Sequence, residues 1–193
     1  MKRMRTAVNF AICAAVIILT TGCATTVPKA DFAQRITPES QIAAKDEAKV
    51  KIDAGTGVTL LESEKMRLAE KIGQKIDGRK ITNKRDGSTK IYEVDLLLTR
   101  YDKGSAFARA MMAGLGQIHI DGDITVLEMP GRTTVGKFAI SKTFAWGGIY
   151  GGTTTMEDIE TTFADGVAAA LTGQDDEQNK MAQQNTSSAK NFP

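Results

Sequence analysis

A chain of 193 residues with 18 glycines and a formal charge of +2 has room for one domain and a tail, not two domains. Lys2, Arg3 and Arg5 precede Cys23 with no acidic residue beside them, and without these three the basic residues fall one short of the 23 acidic ones. A near-neutral remainder excludes the electrostatic footprint of a nucleic-acid binder and carries no polybasic patch for anionic lipid.

Met1 to Arg5 is a short cationic segment, and Ala7 to Leu19 is an apolar run broken only by Asn9. That length suits the apolar part of a secretion signal and is short for a spanning helix, which needs about 17–25 residues. Thr20, Thr21 and Gly22 then lead into Cys23. Small residues before a cysteine at this place resemble the lipobox of bacterial lipoproteins, although the position usually held by leucine is Thr20, with Leu19 one residue further back. The resemblance implies a diacylglycerol on the Cys23 thiol, cleavage before it and acylation of the new amine. An uncleaved anchor and an ordinary signal peptide cut nearby are the alternatives. Cys13 lies in the apolar run and no cysteine follows Cys23, so no disulfide is expected beyond it. Ala24, where aspartate would retain a lipoprotein at the inner membrane, implies the outer membrane, with the domain facing the periplasm.

The expected organisation is a leader over 1–22, the lipidated cysteine and a flexible tether over 23–45, a periplasmic domain over 46–172 and a disordered polar tail over 173–193. The tether holds Thr25, Thr26, Pro28 and Pro38 without periodicity and would reach about 25 Å as a flexible chain. Val50 and Ile52 alternate with Lys49, Lys51 and Asp53 as a short strand. Thr59 and Glu62 form a potential capping box for a helix with Leu61, Leu68, Ile72 and Ile76 on one side, ended by Gly78. Asp86-Gly87 marks a hairpin turn between Ile81 and Ile91. Tyr92, Val94, Leu96 and Leu98 share one strand face. Ile118, Ile120, Ile124 and Val126 share another, and after a turn at Pro130-Gly131 the alternation resumes through Phe138 and Ile140. Thr155 opens a second helix with Ile159, Phe163, Val167 and Leu171 at helical spacing. The expected fold is therefore α+β: a two-layer sandwich of a largely antiparallel sheet, wet on one face, with two helices packed on the other.

Two stretches break this scheme: Gly104 to Gly116 between two strands, and Trp146 to Gly152 before the last helix. Both mix glycine with large apolar residues. They are either close packing, with Met and Phe filling the core beneath, or an exposed contact surface. In the second case Phe107, Met111, Met112, Trp146, Ile149 and Tyr150 would meet a partner, a like subunit or the bilayer, with Arg109 as the one cation among them.

From Tyr92 to Thr172 the chain resembles the bacterial lipoprotein family known as domain of unknown function 4410. The resemblance rests on a strand ending in Asp102-Lys103-Gly104, then Arg109, Gly114 and Gly116, a strand–turn–strand unit, and a Gly-rich segment before the last helix. The turn departs from the family's habit, with Met129-Pro130-Gly131-Arg132 in place of Asp and Thr-Gly. The family implies an envelope lipoprotein and supplies no catalytic residues.

His119, the single histidine, would share a strand face with Asp121 and Asp123, but Gly122 interrupts the row and a metal site needs three or four converging ligands. No Gly-x-Ser-x-Gly elbow, Walker motif or dinucleotide fingerprint is present. The expectation is a non-enzymatic binding or assembly module without metal or cofactor, held to the membrane by acyl chains on Cys23, with an envelope protein partner or homo-oligomer and no nucleic acid. A subunit of an oligomeric outer-membrane or secretion-type assembly is the first alternative, and a cell-wall or glycan hydrolase the second.

Overall fold

The computed structural model describes residues 25–82, 85, 87–112 and 115–174. The leader, Cys23, Asp86, Gly114 and the tail from residue 175 lie outside the described residues. Five strands form one sheet: β1 (Lys29–Gln34), β2 (Glu47–Ala54), β3 (Ile91–Asp102), β4 (Ile118–Met129) and β5 (Thr133–Phe144), in the order β1-β5-β4-β3-β2. Every neighbouring pair is antiparallel except β2 with β3. Two long helices, α1 (Glu62–Lys80) and α4 (Met156–Leu171), pack on each other and on one face of the sheet. The α+β sandwich read from the alternation is the fold.

The strand faces follow from the period of two. Tyr92, Val94, Leu96 and Leu98 of β3, Ile118, Ile120, Ile124 and Val126 of β4, and Phe138 and Ile140 of β5 all point under the helices and are buried. Leu68, Ile72 and Ile76 of α1 and Phe163, Val167 and Leu171 of α4 close over them. A bulge between Leu98 and Arg100 shifts the parity of β3, which turns Tyr101 inward and leaves Arg100 and Asp102 outside.

Four local expectations are corrected. Lys29–Gln34 is not tether but an edge strand, pairing Ala30 with Ile140 and Phe32 with Phe138. It is joined to the core beyond itself as well: Ile42 is fully buried and its N–H donates to the Leu171 carbonyl at 3.0 Å. Pro28 lies directly against α4, where a Cβ on Gly166 would stand 2.5 Å from the proline Cβ. The domain therefore begins some twenty residues before Asp46, and at its other end Gln174 still bonds to the Ala169 carbonyl. Second, α1 starts at Glu62, so Thr59 caps nothing. The Glu64 carboxylate turns back to accept the Leu61 N–H at 3.0 Å, and Leu61 itself is exposed. Third, Gly78 does not end α1, which runs on to Lys80. Fourth, Ile81 and Ile91 are not hairpin partners. Because β2 and β3 are parallel, the chain must cross between their opposite ends, and α1 is that crossover.

The early segment is locked by Asp46, buried to 2% exposure. Its carboxylate accepts the N–H groups of Ala43 and Lys90 and both oxygens meet the Arg85 guanidinium, at 2.8 and 2.9 Å. One side chain thus joins the entry to β2 with the entry to β3.

Candidate functional site

At one end of the sandwich, α2 (Ala106–Met111) and α3 (Gly148–Thr153) pack together as a pair of one-and-a-half-turn helices. The first fills the connection from β3 to β4, the second the connection from β5 to α4. Ser105 caps α2 by accepting the Ala108 N–H at 3.2 Å, and its own N–H donates to the Gly116 carbonyl. The two helices touch through small residues: a Cβ on Gly152 would stand 2.9 Å from that of Ala110. Small residues inward leave the large ones outward. Phe107 is 77% exposed, Met111 69% and Ile149 88%, and Met112, Leu115, Trp146 and Tyr150 are exposed beside them. Trp146 and Phe144 each pack on the Tyr150 ring, with centroids 5.9 and 6.0 Å away. Gly104, Gly116, Gly151 and Gly152 are sites of close packing, Gly148 holds a positive φ in open space, and Phe107, Met111 and Met112 do not fill the core beneath.

Arg109 is not part of that exposed surface. It is 3% exposed and points between the two helices. Its Nε donates to the Gly151 carbonyl at 2.8 Å, Nη1 to Gly116 at 2.7 Å and Lys103 at 3.4 Å, and Nη2 to Thr154 at 3.0 Å. Burial pushes its pKa down, yet a guanidinium stays charged and its planar fork can serve several carbonyls at once. Arg109 is the clamp that holds α2, α3 and the segment between them. With it inside, Ser105 to Met112 and Trp146 to Thr153 present no charged side chain to solvent.

The hairpin under α2 needs its glycines. Gly104 has φ +60° and Gly116 φ +67°, and a Cβ at Gly104 would overlap the carbonyls of Gly116 and Gln117. Asp102 sets the turn by accepting the Gly104 N–H at 2.9 Å. Gly104→Ala is expected to cost more than about 1 kcal/mol, read as a lower urea midpoint at constant slope. An unshifted midpoint would mean the turn tolerates a side chain.

Beside the pair lies a cavity of about 760 Å³, lined by Thr25, Lys142, Phe144, Trp146, Tyr150 and Asp158 among others. Lys142 is buried on the inner face of β5. It donates to Thr25 Oγ1 and to the Thr26 carbonyl, and burial lowers its pKa. The Thr26 N–H meets the Thr143 carbonyl at 3.0 Å, and the Thr143 N–H meets Thr26 Oγ1 at 2.8 Å. The chain is therefore pinned to β5 from Thr25 onward. Asp158, the one carboxylate among the described lining residues, is engaged by the N–H and hydroxyl of Thr155 as the cap of α4. Those bonds hold its pKa down.

His119, Asp121 and Asp123 do share the open face of β4. Nδ1 of His119 lies 3.0 Å from the Thr143 hydroxyl, and burial lowers its pKa. Among the described residues no group of three His, Cys, Asp or Glu side chains could hold a metal ion. No helix among them is long and apolar enough to cross a membrane.

A sheet covered on one face by two helices, with an exposed apolar corner clamped by an internal arginine, defines a small α+β module. The family model of domain of unknown function 4410 matches residues 27–148, and the chain belongs to that family. Its matched span starts just before β1, as the structural domain does. Of the described residues that carry the sequence resemblance, Asp102, Gly104, Arg109 and Gly116 are the turn, the close approaches and the clamp of the corner, and Lys103 offers its carbonyl to that clamp. Among solved structures, a single-residue variant of the PelC dodecamer from Paraburkholderia phytofirmans has TM-score 0.50 at 9% identity, covering 75% of this chain and 97% of that one. A second crystal form of the PelC dodecamer gives 0.47 at 9% identity, covering 76% and 98%. A Xanthomonas campestris protein of domain of unknown function 330 gives 0.44 at 14%, covering 76% and 97%. At 9% identity the likeness to the first of these is one of fold alone. No curated protein matches the chain.

Proposed function

We propose that this chain is an envelope lipoprotein, held at the outer membrane by acyl chains on Cys23, whose domain works by contact and not by catalysis. The observation that carries the proposal is the corner of α2 and α3. Exposed large apolar residues are ordinary singly, but a contiguous group without charge marks an interaction surface. Here the group sits on helices fixed by a buried arginine, so its exposure is built in. A hydrolase would need paired carboxylates free to act in one cavity. Asp158 beside the corner is taken up by the cap of α4. In a second cavity, lined by Asp53, Glu93, Asp95 and Asp123, Lys51 and Arg132 hold Glu93 and Arg132 also reaches Asp95.

A photo-crosslinking residue in place of Ile149 in the full-length protein is expected to give a discrete adduct in intact envelopes, to protein or to lipid. The same probe at Gln74, on the solvent side of α1, is expected to give none. Failure of the probe at 149 to capture anything would remove the contact function. A second proposal, a subunit of an oligomeric envelope assembly, is favoured by the shared fold with PelC, a dodecamer. Native mass in detergent decides it, and a monomer at high concentration would defeat it.

A further inference from the structure

We infer that the occupant of the apolar corner is the bilayer that carries the Cys23 acyl chains, so that the domain sits flush on the membrane in a fixed orientation and does not hang from a tether. The inference rests on the contact function proposed above and names its partner. One residue, Ala24, separates Cys23 from Thr25. Two peptide units span at most about 7 Å. Thr25 itself is held on β5, its hydroxyl donating to the Thr143 carbonyl at 3.2 Å, and it lines the same cavity as Trp146 and Tyr150. The acyl chains must therefore enter the bilayer beside the corner, whichever way the cysteine turns.

The chemistry of the corner suits that neighbour. Trp and Tyr favour the headgroup level, where a ring has one apolar and one wet side. Phe107, Met111, Met112 and Ile149 stand outermost, and no exposed charge lies among them to resist transfer from water. Residence at the membrane is already secured by the acyl chains. What the corner adds is orientation: with Arg109 fixing both helices, the end of the sandwich bearing them faces lipid and the opposite end faces the periplasm.

Trp146 is the sole tryptophan, so its emission reports on the corner alone. The acylated full-length protein, purified from envelopes, is reconstituted into vesicles of phosphatidylethanolamine and phosphatidylglycerol, with and without brominated acyl chains. Emission is expected to fall about twofold in the brominated vesicles. The pair Phe107→Asp with Ile149→Asp should lose that quenching while vesicle association and far-UV circular dichroism stay unchanged. Equal emission from vesicle-bound wild-type protein in both lipids would overturn the inference. If the crosslink at 149 then falls on protein, the contact function stands with a protein or a second copy as occupant. If it falls on nothing, both fail. An intact mass showing unmodified Cys23, with the protein left in solution, would overturn the inference by removing its anchor.

Discussion

Arg109→Ala is expected to release the α2–α3 corner while the sheet stays folded. The guanidinium supplies bonds to the carbonyls of Lys103, Gly116, Gly151 and Thr154, from three different segments. Hydrogen bonds from a charged donor are worth about 1.5–3 kcal/mol each, and truncation leaves their acceptors facing a void. Since the bonds share one side chain they do not add, and about 3 kcal/mol is a reasonable total, roughly a hundredfold in the local opening equilibrium. Hydrogen exchange would show it. The amides of Arg109, Met112, Gly151 and Thr154, each bonded within its own short helix or cap, should lose protection. Those of the β3–β4 ladder should keep theirs. Arg109→Lys should not rescue the corner, because an ammonium cannot span carbonyls on both helices. Protection unchanged in Arg109→Ala would show that the helices stand without the clamp.

Arg67→Ala is expected to weaken the whole domain, most of all in acid. Glu160 is fully buried between α4 and β3. Both its oxygens are engaged by Arg67 at 2.9 Å, one also by the Tyr101 hydroxyl at 2.6 Å and the other by Lys71 at 3.1 Å. Burial alone would drive its pKa up, but Arg67, Tyr101 and Lys71 outweigh it and hold the carboxyl below its ordinary range. Burial and the Glu160 carboxylate push the Tyr101 phenol up, so it remains a donor. Removing one partner of a buried ion pair costs about 3–5 kcal/mol, and the lower end applies here because Lys71 stays. The sign with pH follows from a depressed carboxyl. Its contribution is fully present above the ordinary glutamate value of about 4.3 and is lost as pH falls through the lower folded value. Without Arg67 the folded value rises, so acid unfolding should begin at higher pH. Circular dichroism during acid titration checks this, and identical acid midpoints for the two proteins would refute it.

Much of the corner could be found in the sequence and its organisation could not. In a six-residue helix Phe107 and Met111 are four apart and share a face, while Arg109, two from each, falls on the opposite side. That signal becomes readable only once the segment is known to be helical, and a Gly-flanked stretch this short has no full period to show it. Glu160 left a plainer trace: three before Phe163 and seven before Val167, it is a charge inside the apolar stripe of α4. Its partners lie 93 residues away at Arg67 and 59 away at Tyr101, and no local pattern connects them. β1 was hidden for a related reason. With only Ala30 and Phe32 turned inward, it is too short to alternate visibly, and its strand partner β5 is about a hundred residues further on.

The sequence by itself determined the class of fold and the identity of its long elements, because a period of two or of 3.6 sustained over a dozen residues decides which face each element must bury. It also determined that two Gly-rich apolar stretches would break that order. Only the tertiary structure decided that the first strand belongs to the sheet, that Arg109 points inward while its apolar neighbours point outward, and that the chain just after Cys23 is pinned beside them. Those outcomes depend on carbonyls and carboxylates brought together from distant parts of the chain, and such convergence is a property of the packed molecule.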